Sequence, residues 1–111
     1  MEAEKVSMRK EHYKLVRDHI PEIIESDGRT AHVRILDDNE MIKCLENKLQ
    51  EEVNEYVEDR SVEELADILE VIYALCKMKG VSKEELERTR AIKEIARGAF
   101  NEKIFLEYVE D

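Results

Sequence analysis

Residues 42–76, IKCLENKLQEEVNEYVEDRSVEELADILEVIYALC, carry the reading that decides the fold. In the first half Ile42, Leu45, Leu49, Val53 and Tyr56 recur at helical spacing as far as about Asp59. In the second half Leu65, Ile68, Leu69, Ile72, Tyr73 and Cys76 keep the same period, and Gly80 is the expected stop. Asp37 or Asp38 is suited to cap the first helix, and Ser61 followed by Glu63 and Glu64 is suited to cap the second. So little chain separates the two that they must fold back on each other, as an antiparallel hairpin with its turn near Arg60.

Outward from the hairpin the signals are shorter. Residues 12–16 look extended, and Pro21 fits the first turn of a short helix that runs through Ser26 and is stopped by Gly28. Thr30 to Leu36, with Val33 and Ile35 in near alternation, reads as a short strand or an extended crossover. Ser82 caps a third long helix toward Gly98, and Lys103 to Val109 reads as an extended tail in which Ile104, Leu106 and Tyr108 alternate. Three glycines, one proline and 5% aromatic residues suit long helices better than a sandwich of tight turns. The expected fold is all-α: an antiparallel helical hairpin with flanking helices and short extended segments near the termini. At 111 residues, 1–111 is expected to form a single domain.

The charge balance narrows the partners. Eighteen basic residues against twenty-eight acidic ones give a net charge of −10, which argues against nucleic acid and against anionic membrane surfaces. A phosphorylated ligand would need a divalent cation between itself and these carboxylates. Met1 to Lys10 alternates charges without an apolar stretch, so neither a secretory signal nor a membrane span is expected, and the cytoplasm is the expected location. Cys44 and Cys76 have no neighbouring Cys or His and read as reduced packing residues.

On a helical wheel advancing about 100° per residue, Glu52 falls beside the centre of the apolar stripe of its helix rather than on the outer face. A carboxylate there loses hydration and needs a partner. Glu55 follows at i+3 on the same flank, and Lys48 precedes Glu52 by one turn. Glu64 and Asp67 repeat the i, i+3 spacing on the second helix, with Glu64 along a stripe of Ile68, Val71 and Leu75. Folding about Arg60 brings the two pairs to the same depth within about one residue, or ~1.5 Å along the axis. Either pair alone is common on a solvated face; their matched depth is the signal. Four carboxylates at one level are hard oxygen ligands suited to Mg²⁺ or Mn²⁺. Glu51, Glu63 and Glu70 face farther from the apolar arcs and read first as solvated, with support of the metal ligands or an additional metal contact as the alternative.

These residues resemble a known family. Lys48-Leu49-Gln50-Glu51-Glu52-Val53-Asn54-Glu55 followed by Glu64-Leu65-Ala66-Asp67 is similar to the EExxE and ExxD signature of the MazG-like, all-α NTP pyrophosphohydrolases. Tyr13 to Pro21 resembles the KLVRDKIPE opening of a small subgroup related to phosphoribosyl-ATP pyrophosphohydrolases, with His19 where Lys is usual. Arg97-Gly98-Ala99-Phe100 resembles its RGGF segment, with Ala99 where Gly is usual. The resemblance implies that Glu52, Glu55, Glu64 and Asp67 are both the catalytic and the metal-ligating residues. They would hold Mg²⁺ on a nucleoside triphosphate while water attacks to release pyrophosphate and a monophosphate. It further implies house-cleaning of non-standard nucleotides. Lys14, Arg17, Arg97 and Lys103, which lie in the matching motifs, and Lys48 are the candidate substrate-binding residues. Rival readings are a non-catalytic helical interaction module on the same scaffold and a hydrolase of another phosphorylated metabolite such as phosphoribosyl-ATP.

Assembly has its own argument. On the second helix Ile68, Val71 and Leu75 widen the apolar arc to roughly 200°, more than one neighbouring helix can cover. Part of that surface, Val71 included, is expected to be buried against a second copy, and the resemblance likewise implies a homodimer or homotetramer.

Overall fold

Three side-chain caps set the frame of the computed structural model, which describes residues 9–111. Asp37 Oδ1 accepts from the Glu40 backbone N–H at 2.9 Å and opens α2, Asp38–Asp59. Ser61 Oγ accepts from Glu64 N–H at 3.3 Å and opens α3, Val62–Met78, while Ser82 Oγ accepts from Glu85 N–H at 3.1 Å and opens α4, Lys83–Arg97. Each cap satisfies a backbone donor that the first helical turn leaves free. Ahead of them α1, Ile20–Ser26, begins with Pro21 in its first turn, and the chain leaves it through Gly28 at φ 84°. Of the charged opening Met1 to Lys10, Met1 to Met8 lies outside the described residues.

The fold is the expected one: the described residues form four helices and no strand. The α2–α3 turn closes with Arg60 at φ 61°, its N–H on Tyr56 O at 2.6 Å and its Nε on Val57 O at 3.1 Å. Helices α2 and α3 pack along each other and enclose Leu45, 3% exposed, and Val71, 8% exposed. Glu52, at 7%, lies in the same interior. Helix α4 packs on α3 only sparsely, with Lys83 Nζ 4.7 Å from the centre of the Tyr73 ring, and buries none of its residues.

Of the two readings of residues 30–36, the crossover is the one present, since no second strand exists among the described residues to accept their backbone. Two expectations change. Tyr13, at φ 43°, breaks the extended run of residues 12–16. Val71, expected on the outer part of the α3 arc, is instead core against α2, and the exposed apolar residues of that helix are Val62, Leu65 and Leu69. The wheel measured the width of the arc but not which part α2 covers. No described helix is long and apolar enough to cross a membrane.

Candidate metal centre

Glu52 enters the hairpin from α2, and Glu64 and Asp67 enter from consecutive turns of α3. One carboxylate oxygen from each lies within 4.8 Å of the other two. The i, i+3 spacing keeps Glu64 and Asp67 on one flank, and the tight turn at Arg60 sets their depth against Glu52. Two oxygens of Glu52 and Glu64, one Oε2 on each, are buried without a hydrogen-bond partner. Buried carboxylate oxygens normally find a donor, so these two are aimed at something the protein itself does not supply.

Two cations approach from the side. Lys48 Nζ lies 3.5 Å from Glu52 Oε1, and Arg17 Nη2 donates to Asp67 Oδ1 at 2.6 Å. Burial, first of all, pushes the Glu52 carboxyl above the usual range, helped by hydrogen bonding to Glu55 and by the charges of Glu55 and Asp67, against the pull of Lys48. Glu64 is pushed up as well, by burial and then by the charges of Asp67, Glu52 and Asp59, while hydrogen bonding to Glu55 opposes the rise. Glu55 therefore bears on the charge of both without supplying an oxygen to the closest three. Four carboxylates against two side-chain cations leave a formal −2, the complement of one divalent ion.

The donor set fits Mg²⁺ or Mn²⁺ chemically. All donors are hard oxygens, and two ligands of one such ion stand about 3–4 Å apart, within a small rotation of the separations here. The basic residues divide into two groups. Arg17 and Lys48 are at the cluster, and Lys14 is one step away, lining with Lys48 and Glu51 a shallow depression of about 180 Å³. Arg97 and Lys103 instead lie around a separate depression of about 310 Å³ built wholly from residues 97–104, and neither is ion-paired to the acidic cluster. Glu51, Glu63 and Glu70 are exposed, as their wheel positions require. The Arg17–Asp67 pair was not readable from spacing, since the two are 50 residues apart.

No known family profile matches the chain, and no solved structure matches it. The chain is similar to an uncharacterised protein of Mycolicibacterium smegmatis, with 54% identity over 41 residues, which are 37% of this chain and 42% of that protein.

Proposed function

We propose that the protein is a Mg²⁺-dependent nucleoside triphosphate pyrophosphohydrolase that removes non-standard nucleotides in the cytoplasm as a homodimer or homotetramer. One observation carries the reading: a buried Glu52 that meets Glu64 and Asp67 across the hairpin, with unpartnered oxygens on Glu52 and Glu64. The resemblance of the same residues to the pyrophosphohydrolase signature supplies the reaction class.

Glu52, Glu64 and Asp67 would hold the ion, with Glu55 as the fourth carboxylate beside them. When bound, the ion screens phosphate oxygens from these carboxylates and makes a coordinated water more acidic. One of these carboxylates, such as Glu52, would accept the proton of an attacking water. Lys48, Arg17 and Lys14 stand where phosphate oxygens would need charge-assisted donors. Arg17 must leave Asp67 to serve in that way, so it marks the entrance of the site as well as its neutralising partner.

The test is a panel of nucleoside triphosphates with Mg²⁺ or Mn²⁺, with the products separated. Pyrophosphate and a monophosphate are expected. Asp67→Asn and Glu64→Gln should each lower turnover by about a hundredfold or more while far-UV circular dichroism stays unchanged, because each removes an anionic ligand at nearly constant volume. Wild-type turnover in both variants would overturn the assignment.

A further inference from the structure

We propose that the C-terminal arm, Lys103 to Val109, seats on the α2–α3 hairpin of a second copy of this chain. This inference does not depend on the metal chemistry. Ile104, Phe105, Leu106, Tyr108 and Val109 are 72–87% exposed, and Phe100 just before them is 99% exposed. The Lys103 N–H reaches Phe100 O at 3.4 Å, and beyond it the backbone of the arm has no backbone hydrogen-bond partner among the described residues. An apolar extended segment with free backbone groups is built to meet a surface.

The hairpin offers that surface. Advancing about 100° per residue from the buried seam, Val53 and Val57 of α2 lie on the same side of the hairpin as Leu65 and Leu69 of α3, and all four are exposed. Lys48 and Asp67 turn to the opposite side, so the face is separate from the approach to the acidic cluster. Seven extended residues span about 23 Å, close to the ~25 Å length of α3. Ile104, Leu106 and Tyr108 point to one side of such a strand and match a single apolar face.

The amount of exposed surface selects a second copy as the occupant. The chain presents 10915 Å², whereas a compact monomer of 13.1 kDa presents about 6400 Å². The excess per chain, several thousand Å², is more than the roughly 1000–2500 Å² that each partner of an obligate dimer buries, so a second copy has ample surface to cover. Helix α4 packs only sparsely on α3, and the arm's apolar side chains stay exposed rather than lying on their own α2 and α3, so they are free to meet a neighbouring copy. A two-fold axis that seats one arm seats both.

Sedimentation of the full chain, alone and as designed variants, tests the exchange. Phe105→Asp with Leu106→Asp should shift dimer dissociation at least about a hundredfold in concentration, with helical content unchanged because both side chains are exposed and lie outside the helices. Leu69→Asp, which damages the receiving face, should do the same. Mixing the two variants leaves one intact arm facing one intact hairpin, so the mixture should associate more tightly than either variant alone. A monomeric wild type, unchanged dimers in the arm variant, unchanged dimers in Leu69→Asp, or no recovery on mixing would each overturn the proposal; the third outcome would instead favour arms paired with each other. Nucleotide turnover is not read in this experiment, so its failure leaves the catalytic reading standing.

Discussion

Glu52 is charged at a cost. It is 7% exposed, its nearest cation is Lys48 at 3.5 Å, and Glu55, Glu64 and Asp67 crowd the same space. Its carboxyl is pushed up chiefly by burial, and that of Glu64 likewise. A carboxyl held higher in the folded chain than in the unfolded one favours folding while protonated. That stability is complete below the ordinary carboxylate range and is lost as pH rises through the raised folded value. Without divalent ions, thermal stability should therefore fall as pH climbs from the ordinary carboxylate range toward neutrality. Glu52→Gln should flatten that decline, and Mg²⁺ or Mn²⁺ should restore the wild type but help the variant less. Scanning calorimetry across pH, with and without metal, measures both effects. A wild-type melting temperature that rises over the same interval would show that Glu52 is not strained when charged.

The hairpin joins two long helices through Arg60 and the Ser61 cap, and Arg60 adopts left-handed geometry at φ 61°. Such a conformation costs a residue with a Cβ about 1–2 kcal/mol, and more with branching at Cβ. Arg60 already carries that cost, so Arg60→Val should destabilise the chain only by the added cost of branching, whereas Arg60→Gly, which relieves the penalty, should cost nothing or stabilise, as shifts in the urea midpoint will show. The consequence reaches the site, because this turn sets the depth of Glu64 and Asp67 against Glu52. Element boundaries were legible in the sequence because Asp37, Ser61 and Ser82 act on the next turn of their own helices, and local chemistry needs no partner elsewhere. The acidic cluster was legible because helical period and a short turn fix registry together. What could not be read needed knowledge of distant chain: the arrival of Arg17 at Asp67, the cover over Val71, and the lack of a second strand for residues 30–36. The positions of Arg97 and Lys103 away from the cluster belong to the same class, since sequence order says nothing about which way α4 leaves α3.

The whole chain is too open for its length. Its radius of gyration is 20.6 Å, against about 13 Å for a compact domain of this size. Ile92 and Ile95 on α4, Leu65 and Leu69 on α3, and the apolar arm all remain in solvent. A shape of this kind is expected of a protomer whose core is completed by another chain. In the proposed assembly two forces would compete in solution. Apolar burial draws the copies together, and a charge of −10 on each drives them apart. Exposed charges more than a Debye length apart are largely screened at physiological salt, where that length is about 8 Å, and are felt much farther at 0.01 M, where it is about 30 Å. Association should therefore tighten as salt is raised, opposite to what ion-pair-driven contacts would show. Small-angle scattering and sedimentation across a salt series can follow it. Assemblies should dominate at 0.15 M and above and dissociate on dilution into low salt, and divalent ions at the acidic cluster should act in the same direction by lowering the charge of each copy. A chain that stays monomeric at every salt concentration, or that dissociates as salt increases, would mean that the exposed apolar residues are not the contact.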